Sequence, residues 1–264
     1  MKRKFDHDAI AKDIQGRVLR QEQIAHKYKC SRNVIVRVAR EMNIHIGQGI
    51  RYTWNFSNPS PELAYIVGMY LTEGTIGLSH TTRKPNQFIV CNSSDILLNR
   101  VSDCISAIGL KPHRRKWYTG GIGTLPKSSV ACYSVQFVRW LYDVCNVKNA
   151  IPAFVFDSPL DNKLAFVASL IDGDGCVQKN GTIRMRATQD WMKQLPDLLL
   201  SMNIRSGGIR IARILDSGKP YYSVSINRMD FRSMNGQLYC HDPEKQRRIL
   251  FGKEPPWSSR IHKS

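Results

Sequence analysis

The alternation of apolar and polar positions divides the chain into stretches of different rhythm. Residues 8–45 carry short helical periods: DAIAKDIQ, then RQEQIAHKY with Ile24, Ala25 and Tyr28 on one face, then RNVIVRVAREM with Val34, Ile35, Val38 and Met42 on one face. The dipeptide Lys29-Cys30 predicts a tight turn between the last two, and Ser31 is a good N-cap for the third helix. Residues 47–60 are rich in Gly, Ser, Asn and Pro and read as a linker. From 61 the rhythm changes to an apolar helix, ELAYIVGMYL, followed by the strand-like runs TIGLSHTT and QFIVCNSS. A helix over DILLNRVSDCISAIG, strands over PHRRKWYTG and SSVACYSV, and a helix over QFVRWLYDV come next. The same order then begins again with KLAFVASLIDGDG. Strands over CVQKN and TIRMRATQ, a helix over DWMKQLPDLLLSMN, strands over GGIRIARILD and PYYSVSIN, and a helix over PEKQRRILF complete it.

The predicted fold class is therefore α+β, with two pseudo-symmetric αββαββα repeats preceded by a small all-α helix-turn-helix domain. The expected domains are 1–46, a linker at 47–60, a first repeat at 61–160, and a second repeat with a C-terminal tail at 161–264.

The duplication is visible residue by residue at the first helix of each repeat. Gly68 corresponds to Ser169, Thr72 to Gly173, Glu73 to Asp174 and Gly74 to Gly175, each pair 101 positions apart. Small residues four apart lie on one helix face and let two helices approach backbone to backbone. Packing the two copies through Gly68, Thr72, Ser169 and Gly173 would bring Glu73 and Asp174 together at one end of the pair. Two neighbouring carboxylates repel, so they share a proton or bind cations. A hard divalent ion such as Mg²⁺ suits oxygen ligands few in number. A single GDG reads first as a helix-ending turn; two copies at one spacing, each on an apolar helix, favour a built site.

Charge narrows the partner. The formal net charge is +18, with 11 Lys and Arg against 5 Asp and Glu in 1–50, 11 against 6 in 51–160, and 17 against 10 in 161–264. A cationic excess spread through every part suits an extended polyanion such as nucleic acid, although a generally basic globular protein competes on charge alone. The seven cysteines are scattered and form no C-x-x-C, which fits reduced thiols in the cytoplasm; His26 and Cys30 lack a second ligand pair for zinc. No apolar run is long enough to span a membrane, and the basic start MKRKFDHDAIAKD lacks the apolar core of a secretory signal. GGIG at 120–123 has neither a following P-loop lysine nor a strand-helix context, so no nucleotide cofactor is expected.

The segments VASLIDGDG at 167–175 and IVGMYLTEG at 66–74 resemble the signature of the LAGLIDADG homing endonucleases, in their single-chain, two-motif form. The approach KNAIPAFVFDSPLDNKLAFVASLIDGDG also looks like that family's lead into its second motif. The first motif departs from the pattern, with Leu71 where an acid is common and Glu73 as its final acid. The resemblance implies that Glu73 and Asp174 hold catalytic divalent metal, Mg²⁺, and that Asp172 supports a helix end. It implies a sheet saddle over double-stranded DNA. The DNA-reading candidates on it are Arg83, Lys84, Gln87, Arg114, Lys116 and Tyr118 in the first repeat, and Lys179, Arg184, Arg186, Arg210 and Arg213 in the second. Asn92 and Gln189, ending comparable strands, become secondary catalytic candidates. A central lysine is common in the family; no lysine is assignable to it from the sequence, and Asn227 is a candidate for one such position. Residues 21–42 resemble the helix-turn-helix of recombinases and repressors, with Cys30 where a turn glycine is usual. That likeness places Arg32, Asn33 and Arg37 at a major groove and Ser31 near a phosphate; an ordinary helical cap on the next domain is the alternative.

The implied activity is site-specific cleavage of double-stranded DNA by a free-standing, monomeric, intracellular enzyme. A non-cleaving transcriptional regulator that combines the same two modules, and an intron RNA maturase, are the alternatives. Persistence of both final acids favours the enzyme.

Overall fold

In the computed structural model, residues 6–16, 21–42, 59–79, 81–117, 127–233 and 240–252 are described. The chain forms two compact units, Met1–Phe56 and Ser57–Ser264.

The first unit is built from α1 (His7–Gly16), α2 (Gln21–Lys27) and α3 (Arg32–Glu41). Ile10, Ala11 and Ile14 of α1, Ile24 and Ala25 of α2, and Ile35, Val38 and Ala39 of α3 make its core. Met42, expected on that apolar face, is instead exposed one residue past the end of α3. The turn also differs from expectation. Helix α2 closes with Cys30 N–H on the Ala25 carbonyl (2.9 Å) and Lys29 N–H on the His26 carbonyl (3.1 Å), a Schellman pattern. Its left-handed residue is Lys29 (φ 47°), so the glycine-like position is Lys29 and not Cys30. A Cβ in that region costs roughly 1 kcal/mol. Lys29→Gly should therefore stabilise this unit by about that amount, read in the full chain as slower hydrogen exchange of the α2 and α3 amides.

The second unit begins with α4 (Pro61–Leu71), capped by Ser60 and followed by β1 (Gly74–Leu78), β2 (Pro85–Asn92), α5 (Asp95–Ala107), β3 (His113–Trp117), β4 (Lys127–Cys132) and α6 (Val135–Val144). After a short α7 (Ala153–Asp157), α8 (Leu160–Asp174) opens the second copy. It continues with β5 (Cys176–Val177), β6 (Ile183–Ala187), a 3-10 turn at Asp190–Lys193, α9 (Leu195–Leu200), β7 (Arg210–Ile214), β8 (Pro220–Ile226), α10 (Arg228–Ser233) and α11 (Pro243–Phe251). The α+β class and the repeated element order hold. Each repeat has a four-stranded antiparallel sheet with matching topology, β1-β2-β4-β3 and β5-β6-β8-β7.

Three local expectations change. CVQKN yields only a two-residue strand, because Gln178 to Thr182 close a turn with Gly181 at φ 81°. DWMKQLPDLLLSMN breaks in two because Pro196 cannot lie inside a helix; it starts a new one. Helices α7 and α10 fall where no periodic signal is long enough to announce them.

Helices α4 and α8 are apolar on every side and lie buried at the centre of this unit, packed on each other more extensively than any other helix pair among the described residues. One face of each sheet packs inward. In the first sheet Phe88, Val90, Val130 and Cys132 meet α5 and α6, with the Phe88 and Phe137 rings edge to face. In the second, Ile183, Met185, Val224 and Ile226 are buried.

Candidate active site and nucleic-acid face

The α4–α8 contact is symmetric in the way the duplication requires. A methyl group placed on Gly68 would strike the Ser169 hydroxyl and come 2.8 Å from the Phe166 carbonyl oxygen. One placed on Gly173 would strike Thr72. Each small residue thus faces its own counterpart 101 positions away, as residues on a two-fold axis must. The hydroxyls at this seam are satisfied within their own helices: Ser169 Oγ donates to the Phe166 carbonyl (2.6 Å) and Thr72 Oγ1 to the Gly68 carbonyl (3.1 Å).

This close approach fixes the acids. Asp174 is the last residue of α8, and Glu73 follows the α4 cap residue Thr72. The methyl built on Gly173 would lie only 3.4 Å from Glu73 Cγ, so Glu73 emerges beside the end of α8 that carries Asp174, and Lys148 feels the charge of both acids. Asp174 keeps an exposed edge, yet partial burial among the helix ends raises its pKa against the opposing pull of Lys148 and Lys245.

Those two lysines are candidate site residues that sequence reading missed. Lys148 Nζ donates to the Thr72 carbonyl (3.1 Å) and lies 5.4 Å from the Tyr70 ring centroid. Lys245 Nζ donates to the carbonyls of Ile171 (2.8 Å), Asp172 (2.7 Å) and Gly173 (3.4 Å). Each ammonium therefore sits on the negative end of one motif helix, where unpaired carbonyls collect. Both come from the final helical region of their own repeat, after α6 and in α11. Burial lowers the Lys148 pKa, while Asp174 and Glu73 pull it back up. Asn227, the sequence-based candidate for a central position, is instead a cap: its Oδ1 accepts from Met229 N–H (2.9 Å) at the start of α10.

The route by which Lys148 arrives is strained. Asn146, Val147 and Lys148 have φ of 42°, 53° and 68°, three consecutive non-glycine residues in the left-handed region. For β-branched Val147 this is a genuine outlier. Bonds from Val147 N–H to the Tyr142 carbonyl (3.1 Å) and from Ala150 N–H to the Cys145 carbonyl (3.1 Å) hold the turn. Strain of this kind gathers where a side chain must be placed against local preference.

Asp172, two residues before the exposed acid, has another task. It is 1% exposed and accepts from Tyr65 Oη (2.8 Å), His241 N–H (3.0 Å) and Asp242 N–H (3.1 Å). It binds the segment before α11 to both motif helices, and so supports the position of Lys245. Burial, with the Asp172 carboxylate beside it, pushes the Tyr65 hydroxyl pKa upward.

Strand register corrects the pairing of Asn92 with Gln189. Thr75 pairs with Ile89 and its counterpart Cys176 with Arg184, so the strand position equivalent to Asn92 is Ala187, and Gln189 corresponds to Ser94. Asn92 Oδ1 accepts from Ser94 N–H (2.8 Å), and Gln189 Oε1 accepts from Thr188 N–H (3.1 Å). Both serve local turns at the ends of their strands.

The open sheet faces carry most of the proposed DNA contacts, with one exchange. Arg114 pairs with Val130, on the inward side, and bonds Asp95 (3.0 Å) and Asn99 of α5. Its neighbour Arg115, opposite Ser129, faces outward over the Tyr133 ring at 5.3 Å. A one-residue offset in strand register decides between them. The Lys116 side chain and all of Tyr118 lie outside the described residues. Arg83 and Lys84 are exposed in the β1–β2 turn, and the Gln87 side chain lies across Gly77. Lys179 is exposed in the β5–β6 turn. Arg184 and Arg186 stand opposite Ser225 and Ser223 on the outward face of the second sheet. Arg210 also meets Ser223, and a bulge before Arg213 turns it to the same face, over the Tyr221 ring at 5.0 Å. In the first unit, Ser31, Asn33 and Arg37 are exposed on and just before α3, and Arg37 reaches Glu41 at 3.8 Å; the Arg32 side chain lies outside the described residues.

No helix among the described residues is long and apolar enough to cross a membrane. No protein-family model matches the chain. In sequence it is 24% identical over 205 residues to the ribonucleoside-diphosphate reductase NrdEB subunit alpha of Bacillus subtilis (strain 168) and to its counterpart in Bacillus phage SPbeta. That match covers 66% of this chain but 18% of each relative, so the chain spans less than a fifth of their length. Among solved structures it is similar to I-DmoI in complex with DNA and Mn, with a TM-score of 0.52 and 13% identity over 69% of this chain and 97% of that one. It is similar also to the homing endonuclease I-WcaI bound to its DNA recognition sequence, with a TM-score of 0.51 and 13% identity over 74% and 88%. The two sheets around a glycine-seamed helix pair thus share the fold of the LAGLIDADG homing endonucleases.

Proposed function

We propose that the chain is a divalent-metal-dependent endonuclease that cuts double-stranded DNA at a long, specific site. The observation that carries this reading is the convergence of Glu73 and Asp174, one from each motif helix, with Lys148 and Lys245 beside them. The donor set fits a hard cation: it offers carboxylate oxygens, and no group of three or more His, Cys, Asp or Glu side chains is gathered among the described residues. Two carboxylates leave most of a metal's coordination to water and phosphate oxygens, the habit of Mg²⁺ and not of structural zinc. Glu73 and Asp174 would hold the ions, which when bound activate water and stabilise a leaving oxygen.

The remaining roles belong to the chain itself. The α4–α8 seam would set where the two acids stand, one for each strand. Lys148 and Lys245 offset carboxylate charge before DNA arrives and present cations to the polyanion. The outward arginines and Gln87 grip and read the duplex. Arg32, Asn33 and Arg37, with Ser31, extend the footprint from the first unit. Both halves of the site lie in one chain, so a monomer suffices.

A cleavage selection tests this: a randomised duplex library incubated with protein in Mg²⁺ or in EDTA. Specific ends that form only with Mg²⁺ support the reading; enrichment of bound duplex with no ends in either condition favours a regulator instead.

Lys148 gives a pH signature. Its pKa is lowered by burial, so it loses its charge below the ordinary lysine range. Single-turnover cleavage should fall on the alkaline side before a normal lysine would titrate. Lys148→Arg, which stays charged, should move that limb upward, and Lys148→Met should slow cleavage on the order of 10²-fold at neutral pH.

A further inference from the structure

The two sheets present unlike chemistry at equivalent places. Alignment through strand pairing makes Ile89 of β2 the counterpart of Arg184 in β6, and Cys91 the counterpart of Arg186. The partners across the next strand, Ala131 and Ser225, and Ser129 and Ser223, correspond in the same way. In the outer strand, Arg115 matches Arg210 through those two serines. The rows nearest the helix ends are therefore Thr75–Ile89–Ala131 in one sheet and Cys176–Arg184–Ser225 in the other. The second row begins two residues after Asp174, so these are the sheet positions closest in the chain to the acids.

We propose that the two halves of the DNA target differ in kind: guanines lie under the second repeat, and thymines under the first, at the positions flanking the centre. This rests on the reading of the sheets as a DNA-binding face. Arginine pairs bidentately with guanine O6 and N7 in the major groove, whereas an aliphatic side chain meets the thymine methyl. Arg184 and Arg186 sit on the open face, Arg184 between Cys176 and Ser225 and Arg186 opposite Ser223. Arg213 rests on the Tyr221 ring and extends the cationic face outward. The first sheet has no arginine in β2; Ile89 and Cys91 form a half-buried apolar strip there. The second repeat thus places two cations at the strand positions where the first repeat carries Ile89 and Cys91.

The test is a binding selection from a randomised duplex library in Ca²⁺, run with wild-type protein and with Arg184→Ile/Arg186→Cys, which gives the second repeat the first repeat's residues. The wild-type consensus should be non-palindromic, with guanines flanking the centre in one half only. The variant should bind that consensus about 10- to 100-fold more weakly. Its own consensus should lose those guanines and keep the other half unchanged. Thermal unfolding of both proteins verifies that the exchange leaves the fold intact; these are surface positions on an open face, and the reverse exchange, Ile89→Arg/Cys91→Arg, is the second variant, expected to add guanines to the other half. A wild-type consensus with matching halves, or guanines that persist in the first variant, overturns the inference while leaving DNA binding in place. Absence of any enriched duplex overturns the DNA-binding reading and this one together.

Discussion

Asp174→Asn is expected to reduce cleavage on the order of 10³-fold or more while duplex binding is retained. The substitution keeps the size of the side chain and the helix end but removes the charge that would hold a metal. Its effect on stability should have the opposite sign. The folded site keeps this carboxyl above its ordinary pKa, because burial disfavours the ionised form. Ionisation therefore costs folding stability; that cost is absent below the ordinary aspartate range and fully present once pH has passed the raised value. At neutral pH the neutral amide escapes it, so Asp174→Asn should unfold at a slightly higher temperature than wild type. The corresponding Glu73→Gln protein should also fail to cleave. Measured together, single-turnover cleavage, duplex affinity and thermal midpoint separate three cases. Lost cleavage with retained binding and unchanged or raised stability fits a metal-holding acid. Lost stability would make Asp174 a structural residue, and undiminished cleavage would remove it from the site.

The largest effect on stability is expected at the helix seam. Gly68→Val places side-chain atoms where the Phe166 carbonyl and the Ser169 side chain already lie. A carbonyl oxygen of a buried helix cannot move aside as a flexible side chain can, so the helices must separate along their whole contact. A loss of about 3 kcal/mol is expected, equivalent to roughly 6–12 °C in the thermal midpoint of a unit this size. The symmetry of the seam offers a control. Ser169 and Gly68 face each other as counterparts, so exchanging them in Gly68→Ser/Ser169→Gly should recover the part of the Gly68→Ser loss that comes from the Ser169 side chain, while the contact with the Phe166 carbonyl stays. The new hydroxyl has a helix carbonyl available three or four residues back, as Ser169 Oγ now has at Phe166. A favourable coupling of about 1 kcal/mol or more in the double-mutant cycle is expected. Strict additivity would mean that the two positions do not share the space the geometry gives them. Because the acids are set by the same seam, Gly68→Val should also lose cleavage even where enough protein remains folded.

The strained turn at 146–148 joins these two themes. A site that crowds carboxylates and ammonium groups at helix ends, and twists three residues into left-handed backbone to complete it, gives up stability for charge placement. The seam and the deeply buried motif helices supply the stability that allows it.

Local pattern carried a large part of this structure. Apolar helices of matching shape, their small residues four apart and a constant 101-residue offset specify two packed helices with an acid at each end. The strand-like runs after each helix give the strands and their succession along the chain, because periodicity depends on short-range burial that every strand shares. What the sequence left open depended on contacts between residues far apart. Lys148 reaches a carbonyl 76 residues away, and Lys245 reaches three at 72 to 74 residues; no local rhythm marks either. Asp172 looks like a second acid beside Asp174, yet two residues of helix rotation turn it inward to Tyr65 and the backbone at 241–242. Arg114 and Arg115 are alike in sequence, and only the pairing of β3 with β4 decides which meets α5 and which meets solvent. Chain order and helix period thus determined the two-fold plan and its pair of acids, since these need only neighbours. The lysines beside the acids, and the face each arginine shows, were decided by tertiary packing, because a side chain's surroundings are set by register and by segments that meet only after folding.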